Sequence, residues 1–166
     1  MNDTALALRK QLIRNIDGAL AGPGAQTLSR PPLYTSHYAG LSDGMAAKKL
    51  GCAVDVVPPG QQSCPYHCHH AQEEMFIILD GEGTLRVAGE RLPVRAGDVI
   101  MIPPGPEYPH QLINTSTAPL RYLSISTQEK PEICDYPDSG KTMAWAPGVK
   151  LLQRPGSNLD YWDGEP

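Results

Sequence analysis

No apolar run in this chain approaches the roughly 18 residues that a membrane-spanning helix needs, which argues against a helical membrane protein. No block of Lys or Arg forms a basic stripe. With 14 basic against 18 acidic residues the net charge is −4, so nucleic acid is not an expected partner. The start, Met1-Asn2-Asp3-Thr4-Ala5-Leu6-Ala7-Leu8, has no cation ahead of its apolar residues; Arg9 and Lys10 follow them, the reverse of a secretion signal. A cytoplasmic protein is the expectation. The four cysteines (Cys52, Cys64, Cys68, Cys134) are then expected as free thiols rather than disulfide partners. Cys52 and Cys134 read as buried apolar residues. No internal repeat, low-complexity tract or linker divides the 166 residues, a length that suits one domain.

What the chain does have is punctuation. Its 16 Gly and 17 Pro are spread along the sequence, which calls for many turns and hence many short strands. Thr4 is placed to cap a short helix over residues 5–12, and residues 12–16 read as extended. Residues 21–44, rich in Gly, Pro and Ser, are expected to wrap the surface, with His37 solvated among them. From Leu50 the pattern turns to β. Strands are expected near residues 51–57, 74–79, 84–88, 91–94, 98–102, 111–114 and 120–126, the first three closed by Pro58-Pro59-Gly60, Asp80-Gly81 and Gly89. The fold class is all-β, a sandwich or barrel. Residues 1–48 form an N-terminal arm and wrapping segment, 49–128 the barrel core, and 129–166 a polar C-terminal extension packed on it, within a single domain.

Four residues specify a site by type and spacing: His67, His69, Glu74 and His110. Imidazole nitrogens and a carboxylate are the usual ligands of a borderline divalent transition metal. On a strand His67 and His69 share a face, and Cys68 and His70 turn away from it. Glu74 opens the next strand, where Phe76 and Ile78 share its inward face; Glu73 then points outward. Leu112 and Asn114 are expected on the face of His110. Phe76, Gln111, Leu112 and Asn114 are the ligand-pocket candidates. Glu74 and Tyr108 are the catalytic candidates, Glu74 as a proton shuttle and Tyr108 as a polar group beside His110. Asp98 reads as a turn residue; Arg86 and Arg121 would meet an anionic substrate if they faced inward, alternation does not decide between the faces, and a solvated outer face is the expectation. Four ligands from three strands leave coordination positions open, as a catalytic metal requires.

The stretch from Gly60 through Tyr66-His67-Cys68-His69 to Glu74 and Gly81 resembles the first motif of the cupin family. The stretch Gly97-Asp98-Val99-Ile100-Met101-Ile102-Pro103-Pro104-Gly105, followed by His110 and Asn114, resembles the second. Six residues rather than five separate Gly60 from His67, and four rather than two separate Gly105 from His110. The resemblance implies a double-stranded β-helix (jelly-roll) barrel, a homodimer, and one Zn, Fe, Mn, Ni, Co or Cu ion on the residues that match His67, His69, Glu74 and His110. A narrower similarity reaches outside the motifs. Arg121-Tyr122-Leu123, Tyr136-Pro137-Asp138-Ser139-Gly140-Lys141 and Asp160-Tyr161-Trp162-Asp163-Gly164-Glu165 resemble small bacterial cupins often labelled sugar-phosphate isomerase-like.

Two functions follow as expectations. One is a metal-dependent enzyme on a small polar molecule, isomerase-like or oxygenase-like. The other is a non-catalytic module that binds a carboxylate or a sugar. Isomerisation needs a base near a carbonyl, and beyond Glu74 the sequence offers only Glu73 and Glu107 for that role. Tyr161 and Trp162 are expected to dock on the barrel or on a partner chain.

Overall fold

Alternation between Leu50 and Thr127 translates directly into strands. The computed structural model describes residues 2–154, 156 and 158–166. In it β3 (Leu50–Val57), β5 (Glu74–Asp80), β6 (Glu82–Val87), β7 (Glu90–Arg95), β8 (Val99–Ile102), β9 (His110–Ile113) and β10 (Leu120–Thr127) stand where the pattern puts them. On β5 the residues Glu74, Phe76 and Ile78 are buried and those between them are not, as period two requires. The β6–β7 hairpin closes through Ala88 and Gly89 at φ 49° and 84°, the positive values that a two-residue type I′ turn demands.

The strands form two layers. One has the order β1 (Gln26–Arg30), β2 (Tyr34–Gly40), β3, β10, β5, β8. The other joins β7-β6-β9 to a sheet of order β13 (Val149–Gln153), β12 (Lys141–Ala146), β11 (Glu132–Tyr136), β4 (Cys68–His69). The joint is a single antiparallel bridge, in which His67 N donates to His110 O at 3.1 Å and His110 N donates to His67 O at 2.7 Å. Two candidate metal ligands, 43 residues apart in sequence, are therefore fixed face to face by their own backbones. Between the layers lies a core of Val57, Phe76, Ile78, Leu85, Val94, Ile102, Leu112, Leu120 and Tyr122. Each such side chain stabilises the fold by about 1.5–3 kcal/mol relative to exposure. The chain is an all-β barrel of the expected class.

The outer segments depart from the sequence reading. Residues 21–44 are not a wrapping loop: β1 (Gln26–Arg30) and β2 (Tyr34–Gly40) extend the larger sheet. The helix α1 (Asp3–Leu12) is capped by Asn2, whose Oδ1 accepts from Ala5 N, rather than by Thr4. Ile13 and Asn15 are extended, as read, but the extended piece is short and pairs in no described sheet, because Asn15 caps a second short helix, α2 (Ile16–Leu20), through Gly18 N. The polar C-terminal segment forms a sheet of β11 (Glu132–Tyr136), β12 (Lys141–Ala146) and β13 (Val149–Gln153) on the two-residue strand β4 (Cys68–His69). Tyr161 and Trp162 do not dock on the barrel. They pack edge to face on each other at 4.8 Å and stay 83% and 70% exposed.

Candidate metal centre

Three imidazoles meet one carboxylate at the mouth of the barrel. Glu74 Oε2 lies 2.7 Å from His110 Nε2, 3.5 Å from His69 Nε2 and 3.9 Å from His67 Nε2. His110 is fully buried, while His67 and His69 are partly open to solvent. The donor atoms of His67, His69 and Glu74 lie within 4.8 Å of one another, the spacing of a metal-ligand set.

The opposite edge of each ring explains the convergence. His67 Nδ1 stands 2.8 Å from Pro65 O, His69 Nδ1 3.3 Å from Glu132 Oε1, and His110 Nδ1 3.1 Å from Tyr108 O. At His67 and His69 an acceptor at Nδ1 holds the proton there and leaves the Nε2 lone pair facing the centre, the tautomer that a metal needs; His110 Nε2 is hydrogen-bonded to Glu74 Oε2 at 2.7 Å, where a bound cation would take the place of the shared proton.

The electrostatics agree. Burial alone would raise the Glu74 carboxyl, but the His110 hydrogen bond and the surrounding imidazoles together hold it below its ordinary range. Burial lowers His69 below its ordinary value and favours the neutral, ligating ring.

Glu132 is the contributor that sequence reasoning missed. It is 1% exposed and reaches in from β11. Its two oxygens accept from His70 N at 3.0 Å, Ala71 N at 3.2 Å and Gln72 N at 2.9 Å, besides His69 Nδ1. It thus pins both the His69 ring and the bend that leads to Glu74. One acidic residue between Pro131 and Ile133 carried no signal of this in the sequence.

The other candidates divide. Phe76 lines the cavity and packs on His110 with ring centroids 5.6 Å apart. Gln111, Leu112 and Asn114 do not line it. Gln111 donates to Gln62 Oε1 and Cys64 O, Leu112 lies in the core, and Asn114 ties Val57 O to Ala118 O. The reason is that β9 is covered on both faces and all four of its residues are buried, so past His110 its side chains are taken up by core packing and internal hydrogen bonds. The Tyr108 side chain is 46% exposed and turned from the centre; its contribution is the carbonyl behind His110. Glu73 is exposed, and Asp98 accepts from Arg95 N within its turn. Arg86 pairs with Asp138 at 2.6 Å and Arg121 with Asp17, both away from the centre.

Beside the imidazoles opens a cavity of about 280 Å³. His67, Glu74 and Phe76 border it, together with five hydroxyls from Ser36, Tyr38, Ser63, Tyr122 and Ser124, and with Cys64 and Asp55. Among the described residues that line it none is Lys or Arg. Tyr38, Asp55 and Tyr122 are cross-strand partners on β2, β3 and β10, so alternation aims all three at this space. Burial pushes the Asp55 carboxyl up to about 6 and the Cys64 thiol up to about 12. Tyr122 is also raised well above its ordinary value, by burial first and then by Asp55, and its hydroxyl lies 2.6 Å from Ser63 Oγ. Asp55, absent from the sequence candidates, is thus a buried carboxyl held well above its ordinary range. A depression of about 440 Å³ at the far end of the barrel is lined by Glu82, Thr84, Arg95 and Asp98, and no imidazole borders it.

Known proteins agree with this fold. Residues 53–126 match the family model described as a cupin domain. An uncharacterized protein of Methanocaldococcus jannaschii is 31% identical over 100 residues, 60% of this chain and 72% of that protein. An oxalate-binding protein of Thermotoga maritima is 35% identical over 69 residues, 42% of this chain and 54% of that protein. The crystal structure of a candidate sugar phosphate isomerase from Acidithiobacillus ferrooxidans superposes with a TM-score of 0.79 at 24% identity, covering 91% of this chain and 97% of that one. At that identity the superposition speaks for the fold.

Proposed function

The chain belongs to the cupin superfamily, and on that premise we propose that it is a metal-dependent enzyme that moves a proton on a small hydroxy-carbonyl compound. One observation carries this reading: three Nε2 atoms turned on one carboxylate, each by an acceptor at its own Nδ1. His67, His69, Glu74 and His110 would hold a divalent transition metal, which when bound supplies Lewis-acid polarisation of a substrate oxygen.

The chain's own residues supply the rest. Asp55, with its carboxyl raised to about 6, is mostly ionised at neutral pH yet close enough to its protonated form for one carboxyl to take and return a proton. The hydroxyls of Ser36, Tyr38, Ser63, Tyr122 and Ser124 match the hydroxyls of a small sugar or hydroxy acid. Phe76 keeps one wall dry. With no Lys or Arg in the cavity, any phosphate on the substrate has no fixed cation there and faces the mouth.

A second reading is favoured by the relative described as an oxalate-binding protein: capture of a small dicarboxylate without turnover. One experiment separates the two. Metal-loaded protein is incubated in D₂O with aldoses, ketoses and their phosphates. Deuterium entry beside the carbonyl is followed by NMR, and oxygen uptake is recorded in parallel. The enzyme reading expects exchange with at least one compound, reduced about a hundredfold or more in Asp55→Asn at unchanged metal content. A flat panel, with oxalate binding in calorimetry, selects the binding module. Oxygen uptake without exchange selects an oxygenase.

A further inference from the structure

The short strand β4 and the residues flanking it present two ligating faces. His67 and His69 turn into the cup. Cys68 and His70 alternate to the outer face, over the C-terminal sheet. There Asp135 is the direct cross-strand partner of Cys68, so the two side chains stand on the same side. His70 Nε2 lies 2.8 Å from Asp135 Oδ2. Thr142 donates to Asp135 Oδ1 at 2.6 Å, which fixes the carboxylate with Oδ2 toward the cluster. The sulfur, imidazole nitrogen and carboxylate oxygen lie within 4.8 Å of one another.

We propose that Cys68, His70 and Asp135 form a second cation site, suited to Zn²⁺, on the outer face of the barrel. The donor chemistry selects the ion: one soft thiolate, one imidazole and one hard carboxylate make the mixed set that a borderline divalent metal accepts. A thiolate and a carboxylate also balance its charge. Cys68 is buried at 3% exposure, so the sulfur lies at the floor. The side chains of His70 and Asp135 are 35% and 36% exposed, so the ion enters from solvent and keeps a water in the fourth position. The site holds β11 against β4, and β4 carries His69. It is a positioning site for the inner centre and does not depend on what that centre catalyses.

Cobalt substitution tests it, because the inner set of three His and one Glu contains no sulfur. Chelator-stripped protein is titrated anaerobically with Co²⁺ at pH 7.5. Two equivalents are expected, one of them with a near-ultraviolet sulfur-to-cobalt charge-transfer band. The band is expected to persist in a His67→Ala/His110→Ala variant at one equivalent and in Cys64→Ala at two. It is expected to vanish in Cys68→Ala with one equivalent still bound. Asp135→Asn, at a half-exposed position that does not threaten folding, is expected to weaken the sulfur-linked equivalent more than tenfold. Wild-type protein that shows no band overturns the proposal, whatever its stoichiometry. So does a band that survives Cys68→Ala or is lost in Cys64→Ala, which would place the sulfur ligand in the inner cavity. An Asp135→Asn variant that keeps full affinity also overturns it, leaving His70 and Asp135 as an ion pair.

Discussion

Glu132 Oε1 lies 3.3 Å from Nδ1 of His69, across 63 residues of sequence. The contact makes the C-terminal sheet part of the centre: β11 carries the group that decides which nitrogen of His69 faces inward. The same carboxylate closes three backbone N–H groups of the bend between His69 and Glu74. Its position joins the stability of the bend to the aim of the ligands on either side of it.

Glu132→Gln keeps the shape and one acceptor but removes the charge, and metal affinity is expected to fall about 10- to 100-fold. Glu132→Ala leaves buried donors unpaired and is expected to cost at least about 3 kcal/mol of folding stability. Calorimetric metal titration and urea unfolding of the two variants check this. Equal affinity in Glu132→Gln and the native chain would remove Glu132 from the centre.

His110→Ala removes the most buried imidazole and the closest contact of Glu74. Elemental analysis is expected to find less than about a tenth of the native metal content. His37→Ala is the control. That ring is tied to Leu20 O and Thr27 Oγ1, far from the cup, and its metal content is expected to match the native value.

Stripping the metal is expected to lower the melting temperature. At a free metal concentration a hundredfold above its Kd, binding stabilises by about 2.7 kcal/mol, which for a chain of this size is about 5–10 °C. Calorimetric scans before and after chelation, then after metal is restored, measure it. A shift near zero would mean that no cation is held in the folded state alone.

The metal-free protein has a pH dependence with two opposed parts. Burial lowers His69 below 6.5, so the unfolded chain takes up its proton first and stability is lost as pH falls below that value. Glu74, depressed below 4.5 by His110 against its own burial, adds stability above that value, which is lost further into acid. Asp55 acts the other way. With its carboxyl at about 6 against an ordinary 3.8, the folded state holds the proton longer, so stability falls as pH rises between the two values. Asp55→Asn is therefore expected to stabilise the stripped protein at pH 8. The gain is at most about 3 kcal/mol, less where water reaches the carboxylate. At pH 4 it is expected to be small. Urea unfolding at both values decides, and equal gains at both would show that Asp55 is ionised throughout.

The sequence by itself determined the barrel strands and the donor types. Alternation on β5 fixed Glu74, Phe76 and Ile78 inward and Glu73 outward, because a strand has a two-residue period whatever it packs against. The Gly-Asp turn before β8 and the hairpin at Gly89 were legible for the same reason: their backbone angles demand those residues. The roles of Gln111, Leu112 and Asn114 were not legible, because alternation names the faces of β9 but not what covers each of them. The strands at 26–40 and 132–153 were hidden because their stability comes from pairing with a sheet edge rather than from an apolar pattern of their own. Asp55 and Glu132 looked like any other acid. Only tertiary packing closed the space around one to raise its carboxyl, and set the other 3.3 Å from an imidazole. Local periodicity belongs to the chain, whereas proton affinity and ring orientation belong to the surroundings that distant strands assemble.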